Sequence, residues 1–167
     1  MPILYLTCGI PGSGKTTFVR NHIFSDTAIH VSRDEIRFSI LKENESYFSR
    51  EKEVFIEFAR QINEGLKNGK SVFADATHLT ENSRIKLLYH IKEHYDEVHI
   101  IWMKTPLEVA IAQNELRAGT RAYVPQNTIR NMYSSFQPPE FFEGFSTIYI
   151  IEPNKPIVIK KELDEYE

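Results

Sequence analysis

The residues able to do chemistry begin with a glycine-rich segment, Gly9-Ile10-Pro11-Gly12-Ser13-Gly14-Lys15-Thr16, which fits the pattern G-x-x-x-x-G-K-[ST]. Glycines let the backbone approach a ligand without a Cβ clash, and the exposed N–H groups of such a loop point at phosphate oxygens. The lysine of this pattern reaches the β- and γ-phosphates of a nucleotide, and the threonine hydroxyl binds Mg²⁺. The segment therefore predicts a site for ATP and Mg²⁺, with Thr16 as the metal ligand. The residues predicted to bind the nucleotide are Gly9, Pro11, Gly12, Ser13, Gly14, Lys15, Thr16 and Thr17.

A second polar cluster, Ser32-Arg33-Asp34-Glu35-Ile36-Arg37, follows a short apolar run. A carboxylate in this position, such as Asp34, can accept the proton of an attacking hydroxyl group. Arg37 lies three residues further on, and on a helix it would share a face with Asp34. It can hold a substrate phosphate or orient the carboxylate. The alternative is that Asp34 only caps the helix and that Arg37 pairs with it on the surface.

A third cluster ends another apolar run, Phe73-Ala74-Asp75. Asp75 is placed to contact the Mg²⁺ shell, a water molecule or an arginine. The alternative is a turn or helix-capping aspartate. Arg84, a little further along, points either toward the site or toward solvent.

Arg117 and Arg121 flank a turn that contains Gly119. A hinged segment of this kind can close over ATP, exclude water and bring positive charge to the transferring phosphoryl group. The alternative is an ordinary solvent-exposed turn between two helices.

Alternating strands and helices must position these clusters. Apolar β-prone runs predict strands at residues 3–8, 28–31, 71–74, 98–103 and 146–151, with a short sixth at 157–159. Helical patterns cover residues 15–24, 34–41, 48–68, 81–94, 106–116 and 125–133. This alternation favours an α/β fold with a parallel sheet covered on both faces. Because ligands bind at the carboxyl ends of such strands, the polar clusters are expected to gather around one site.

The composition is that of a single domain over residues 1–167, with a formal net charge of −3. A surface that coats nucleic acid is excluded, so a nucleic-acid substrate would need a local basic patch. The N-terminus does not look like a signal peptide, and no apolar run approaches the roughly 20 residues of a membrane span. The single cysteine, Cys8, suits a reducing compartment. We therefore expect a cytoplasmic protein with no membrane partner.

The ordered set of clusters resembles the kinase domain of phage-type polynucleotide 5′-kinase. The resemblance rests on residues 9–16, 32–37, 75–84, 117–125 and 129–135. It implies a P-loop kinase fold with a five-stranded parallel sheet in the adenylate-kinase-like order 2-3-1-4-5, helices on both faces and a helical lid at about residues 106–135. It also implies transfer of the γ-phosphate of ATP to the 5′-hydroxyl of DNA or RNA, so that a nucleic-acid 5′ end is the expected partner.

The same resemblance implies individual roles. Lys15 and Thr16 would hold the ATP phosphates and Mg²⁺, and Asp34 would be the general base. Arg37 would hold the 3′-phosphate of the acceptor, and Asp75 and Arg84 would belong to the acceptor end of the site. One lid arginine, Arg117 or Arg121, would contact the transferring phosphate.

The sequence also departs from the phage-type pattern. Ser32 stands where that pattern has asparagine, and the lid segment from Arg117 to Pro125 is longer. No D-x-D-x-T motif is present, so a second, 3′-phosphatase activity is not expected. Residues 137–145 are similar to the wider family of small P-loop kinases, which leaves other acceptors open: a small molecule, a nucleoside, an aminoacylated tRNA or a sugar nucleotide. An NTPase without an acceptor is a further alternative, although no residue stands out to position a hydrolytic water.

Overall fold

The structure is a computed structural model that describes residues 1–22 and 27–165. Its strands are β1 (Ile3–Cys8), β2 (Ala28–Ser32), β3 (Ser71–Asp75), β4 (Glu97–Met103), β5 (Thr147–Ile151) and β6 (Val158–Lys161). Its helices are α1 (Lys15–His22), α2 (Arg33–Ile40), α3 (Glu51–Lys67), α4 (Glu81–His90), α5 (Leu107–Glu115), α6 (Gln126–Ser134) and α7 (Glu162–Glu165), with a 3₁₀ turn η1 at Phe141–Glu143.

The strands form one sheet in the order β2-β3-β1-β4-β5-β6. The first five are parallel and follow the predicted order 2-3-1-4-5. The short sixth strand predicted at residues 157–159 is confirmed by β6, which pairs antiparallel with β5, so the sheet has one strand more than the five that the resemblance implied. A turn at residues 152–157 reverses the chain after β5, and a connection this short cannot make the long crossover that a parallel strand needs.

The central strand β1 is buried on both faces. On one face Leu4, Leu6 and Cys8 pack into the main core, which includes Phe58 of α3 and Leu87 of α4. On the other face α1 covers the sheet, and Val19 packs with Phe73, Ile101 and Met103. Burial on both faces explains why the strands read as continuous apolar runs rather than alternating ones.

Helix α3 ends where the sequence predicted, at a glycine. Gly69 adopts a left-handed conformation with φ of 75°, and the N–H of Lys70 donates to the Gly65 carbonyl at 3.0 Å. Glycine adopts this conformation without the steric cost that a Cβ would bring. The chain can therefore turn at Gly69 so that the following N–H satisfies a carbonyl of the last helical turn.

Two other helices differ from their predicted lengths. Helix α4 ends at His90 rather than at residue 94, because the side chain of Asn63 of α3 hydrogen-bonds to the backbone at the end of α4. The Asn63 amide donates to the His90 carbonyl at 3.1 Å and accepts from the Lys92 N–H at 2.8 Å. Helix α3 begins at Glu51 rather than at residue 48. The last two residues predicted for α1, Ile23 and Phe24, lie outside the described residues.

Helices α5 and α6 pack beside the loop that follows β1. Their buried side chains form a cluster with residues from that loop and from the segment after β3: Ile10, Leu79, Ala110, Ile111, Val124 and Ile129. The buried Asn114 holds the connecting segment in place, because its amide donates to the Val124 carbonyl at 2.6 Å and accepts from the Val124 N–H at 3.1 Å. The connection between the two helices is thereby fixed next to the carboxyl ends of the strands.

Candidate active site

The glycine-rich loop joins β1 to α1 and is fixed from two sides. The Gly9 N–H donates to the Thr77 carbonyl at 2.9 Å, and the Thr105 hydroxyl donates to the Ser13 carbonyl at 2.9 Å. Gly12 has φ of 84°, and a Cβ there would lie 2.2 Å from the Ala110 carbonyl oxygen of α5. A side chain at this position would therefore force α5 away from the loop.

Most of the predicted nucleotide-binding residues line one cavity, which is also lined by residues from five other segments. The loop contributes Pro11, Gly12, Gly14, Lys15 and Thr16 to its wall. The other predicted nucleotide contacts lie elsewhere: Gly9 lines a second cavity, the Ser13 side chain is buried, and Thr17 is exposed on α1. A backbone contact to phosphate does not require the side chain to line the cavity.

Lys15 points back into the loop, and its Nζ donates to the Ile10 carbonyl at 2.9 Å. Burial lowers the pKa of its ammonium group, and the nearby carboxylates of Asp75 and Asp34 oppose that shift. The ammonium is thus a positive charge held in a poorly solvated place. An anion bound beside it would relieve the cost of that burial.

The Thr16 hydroxyl donates to Asp75 Oδ2 at 2.8 Å. His30 Nε2 lies 2.8 Å from the same oxygen, and the Thr7 hydroxyl donates to Asp75 Oδ1 at 3.3 Å. Asp75 is 4% exposed. Burial raises the pKa of its carboxyl group, but the hydrogen bond from His30 and the charge of Lys15 outweigh that effect and leave the pKa lowered. Asp75 is therefore a buried carboxylate directly beside the Thr16 hydroxyl.

These two oxygen donors fit Mg²⁺. The ion prefers oxygen ligands and is commonly bound through one or two protein groups together with substrate phosphates and water. Since the Thr16 proton is donated to Asp75, the hydroxyl lone pairs remain available to a cation. Within residues 1–22 and 27–165 no group of three or more His, Cys, Asp or Glu side chains is arranged to hold a metal without a bound ligand.

Asp34 lies in the first turn of α2, and of the alternative interpretation the structure excludes the capping role but shows the expected pairing with Arg37. The helix is capped by Ser32, whose hydroxyl accepts from the Glu35 N–H at 3.2 Å, so Asp34 is not the cap. The carboxylate lines the cavity and accepts hydrogen bonds from the Tyr47 hydroxyl and from Arg37. Burial, and then the charge of Asp34, raise the pKa of Tyr47, so the phenol stays protonated as a donor.

Arg37 is buried and its donors are largely used within the protein. Nε and Nη2 donate to the two oxygens of Glu51 at 2.8 and 2.9 Å. Nη1 donates to Tyr47 at 2.8 Å and also to Asp34. Burial lowers the pKa of the guanidinium, but these partners more than compensate, and the pKa is raised. The orienting role expected of Arg37 fits this geometry, whereas four of its five N–H groups are unavailable to a substrate phosphate.

The two arginines of the segment between α5 and α6 are placed differently. Arg117 lines the cavity and lies close enough to Lys15 for its charge to lower the pKa of that lysine. Arg121 instead reaches the end of α2, where it donates to the carbonyls of Phe38 at 3.3 Å and Leu41 at 3.0 Å. The structure thus separates two residues that the sequence left equivalent.

The expectation that Arg84 points either to the site or to solvent is wrong, because its side chain is enclosed within the protein. It is 0% exposed, and its Nε and Nη2 donate to Glu143 of η1 at 2.7 and 3.1 Å. Its Nη1 donates to the His78 carbonyl at 2.9 Å. A guanidinium so enclosed cannot contact an acceptor, so Arg84 ties α4 to η1 and to the segment that follows β3.

Replacing Glu143 with glutamine is expected to destabilise the protein by about 3–5 kcal/mol, because Arg84 would remain as a buried charge without its counter-ion. Urea unfolding of the variant measures the loss. The double variant Arg84→Met/Glu143→Leu is expected to recover part of it, since no buried charge is then left. A loss below about 1 kcal/mol in Glu143→Gln is the range of an exposed pair and would contradict the enclosed geometry.

Sequence reasoning missed three residues of the site: His30, Tyr47 and Glu51. His30 carried a weak signal as the one ionisable residue within the β2 run Ala28–Ser32. Tyr47 lies in the loop before α3, and Glu51 begins that helix. Their partners are 10 to 45 residues away in the chain, and no local pattern marks such pairs.

None of the helices within the described part of the chain is long and apolar enough to cross a membrane.

Comparison with known proteins agrees with this architecture. A family model described as an AAA domain, AAA_33, matches residues 4–139. The protein named "Putative bifunctional polynucleotide phosphatase/kinase" of Acanthamoeba polyphaga mimivirus is 31% identical over 147 residues, which are 84% of this chain and 31% of that protein. L-seryl-tRNA(Sec) kinase of Methanococcus maripaludis is 31% identical over 142 residues, 82% of this chain and 53% of that protein.

Among solved structures, a chain of the Pnkp1/Rnl/Hen1 RNA repair complex superposes with a TM-score of 0.64 and 26% identity, over 80% of this chain and 43% of that chain. The chain thus spans from 31% to 53% of the length of these relatives. Because the family model covers most of its residues, the chain belongs to the AAA_33 family of AAA domains and has the fold of a P-loop kinase.

Proposed function

We propose that the protein is an ATP-dependent polynucleotide 5′-hydroxyl kinase. The observation that carries the proposal is that Lys15, Thr16, Asp34, Asp75 and Arg117 line a single cavity at the carboxyl ends of the parallel strands. A relative with 31% identity is named as a polynucleotide phosphatase/kinase, which supports the choice of acceptor. A nucleic-acid partner and a cytoplasmic location stay predictions.

The nucleotide half of the proposed site consists of the glycine-rich loop and its two polar side chains. Loop N–H groups and the Lys15 ammonium bind the β- and γ-phosphates of ATP. Thr16, with Asp75 behind it, holds Mg²⁺, which when bound neutralises charge that develops on the phosphates. His30 fixes the Asp75 carboxylate through its Nε2 contact at 2.8 Å, so it is a positioning residue.

The acceptor half centres on Asp34, the proposed general base. Asp34 takes the proton of the 5′-hydroxyl as the acceptor oxygen forms a bond to the γ-phosphorus and the bond from that phosphorus to the ADP oxygen breaks. Tyr47 and Arg37 both donate to Asp34 and hold it in place. Most of the catalytic effect then comes from positioning and from the charges around the phosphoryl group.

We also propose that residues 1–167 act as one kinase domain and that residues 106–135 form its lid. Arg117 is the proposed lid arginine on the transferring phosphate, since it lines the cavity beside Lys15. Arg121 is proposed to hold the lid against α2, through the carbonyls of Phe38 and Leu41.

Alanine variants of the two lid arginines distinguish these roles. Arg117→Ala is expected to lower kcat about 10²–10³-fold, the range for loss of one donor to transition-state charge. Arg121→Ala loses contacts that only position the lid, so its KM for ATP should rise while its kcat stays within about tenfold of the original. Steady-state kinetics of both variants measures the difference. The opposite ranking would exchange the two assignments.

The experiment that tests the function is transfer from [γ-³²P]ATP to a short oligonucleotide with a 5′-hydroxyl, in DNA and RNA versions. Label should appear at the 5′ end with the unmodified protein and fall with the Asp34→Asn variant. A 5′-phosphorylated oligonucleotide is the matched control that cannot accept. Bound ATP without transfer to either oligonucleotide would overturn the polynucleotide assignment.

A second candidate is an aminoacylated tRNA. It is favoured by the relative named L-seryl-tRNA(Sec) kinase, which has the same 31% identity over a similar length. The chemistry at Lys15, Thr16 and Asp34 is the same for a serine hydroxyl, so seryl-tRNA belongs in the same assay as a third acceptor.

A further inference from the structure

The acceptor end of the cavity contains two arginines whose charges are already balanced. Arg37 pairs with both oxygens of Glu51 and with Asp34. Arg33 donates to Glu51 at 3.1 Å and lies over the rings of Phe55 and Phe58, at 5.7 and 5.9 Å. Two cations thus face two carboxylates, and this part of the wall offers little net charge to a ligand.

An exposed aromatic ring stands at the same end. Phe48 lines the cavity and is 47% exposed, whereas the other large apolar residues of the wall, Tyr47, Val124 and Met132, are buried or half-buried. The Phe48 ring centroid lies 4.6 Å from that of Tyr47, with the planes at 81°. Tyr47 packs edge-on against Phe38 and donates to Asp34, so the support behind Phe48 is fixed.

Tyr47 therefore contacts both Phe48 and Asp34, the carboxylate that would receive the acceptor's proton. In a nucleoside the 5′-hydroxymethyl group and the base leave the sugar from the two carbons on either side of the ring oxygen, so a base follows the 5′-hydroxyl into the site at a short distance. If a 5′-hydroxyl is directed at Asp34, its own base can extend past Tyr47 to the exposed ring of Phe48. Flat bases stack favourably on an aromatic side chain, whatever their sequence.

We propose that Phe48 is a base-stacking residue for the 5′-terminal nucleotide of the acceptor. The inference rests on the proposed polynucleotide kinase function and names the part of the acceptor that is bound.

The test is a double-mutant cycle in which the 5′-terminal base and the Phe48 ring are removed separately and together. kcat/KM is measured for an oligonucleotide with an ordinary 5′-terminal nucleotide and for one that is abasic at that position. Loss of the base should cost the original protein roughly 5- to 150-fold, mostly through KM, the range for one base on one aromatic ring. Phe48→Ala should lose a similar factor with the ordinary oligonucleotide and should then not distinguish the two acceptors.

Phe48→Tyr keeps the ring and should keep the discrimination between the two acceptors. Phe142→Ala is the matched control, because Phe142 is 71% exposed and lies outside the cavity wall. It should leave both values unchanged. ATP binding by each variant, measured by calorimetry, reports whether the nucleotide half is intact.

Each result decides between the proposals. If the abasic acceptor costs Phe48→Ala as much as it costs the original protein, Phe48 does not contact the base and the stacking proposal is overturned. In that case transfer itself still occurs, and the proposed function stands. If the original protein labels neither oligonucleotide, the polynucleotide function fails and the stacking proposal fails with it.

Discussion

Lys15→Met is expected to abolish phosphate transfer, with a fall in kcat/KM of at least about 10³-fold. Lys15 is the only charged residue between Gly9 and Thr16, and its ammonium group is held inside the loop against the Ile10 carbonyl. Methionine has a similar length and no charge, so it removes the contact to the β- and γ-phosphates without leaving a large cavity. Transfer of labelled phosphate to a 5′-hydroxyl oligonucleotide measures the loss.

The loss should not come from unfolding. Burial lowers the pKa of Lys15 in the folded chain. At pH values below the ordinary lysine pKa, the unfolded chain therefore binds this proton more tightly, and the charged lysine costs stability. Removing the charge is expected to leave the free energy of unfolding unchanged or higher, which urea titration checks. Lys67→Met, at an exposed lysine in the last turn of α3 and outside both cavity walls, is the matched control. Transfer at the original rate by Lys15→Met would show that the Lys15 ammonium is not needed to bind the phosphates of ATP, and the assignment of residues 9–16 as a nucleotide-binding loop would be wrong.

Asp34→Asn is expected to lower kcat about 10²–10⁴-fold, the usual contribution of a positioned general base. Asparagine keeps an oxygen that accepts from Tyr47 and Arg37, so the geometry of the acceptor end should persist. The KM for ATP should change little, because the nucleotide half of the site is untouched. Initial rates at saturating ATP and acceptor measure the effect.

Glu35→Gln supplies the matched control for that change. Glu35 is the neighbouring acid, is exposed, and has a surface contact to Arg20 at 3.5 Å. It should transfer phosphate at the original rate. If Asp34→Asn instead loses ATP binding and keeps kcat, Asp34 has a structural role and the base lies elsewhere.

Much of the fold could be read from the sequence because its signals are local. Apolar runs of strand length alternate with helical patterns, and this alternation already requires parallel strands and crossovers. Gly69 predicted the end of α3 and the structure places it there in the left-handed conformation. The sixth strand was harder to predict, because all four of its residues, Val158–Lys161, are exposed and do not form an apolar run like those of the buried strands.

The same reasoning located the site but not its internal contacts. Residues that follow parallel strands must meet at one edge of the sheet, so the sequence alone groups Lys15, Asp34 and Asp75. Which side chains those residues touch was beyond the sequence. The cap of α2 is Ser32 and not Asp34, and that choice depends on a hydroxyl 3.2 Å from the Glu35 N–H.

What the sequence by itself determined is thus the glycine-rich loop, the order of strands and helices along the chain, and the edge of the sheet at which the proposed site lies. Only the tertiary structure decided the directions of the charged side chains. Arg84 turned inward to Glu143, 59 residues away, and Arg37 was bound by Glu51. A long side chain with several rotamers takes its direction from whichever partner the fold brings near, because a buried charge without a partner is too costly to persist.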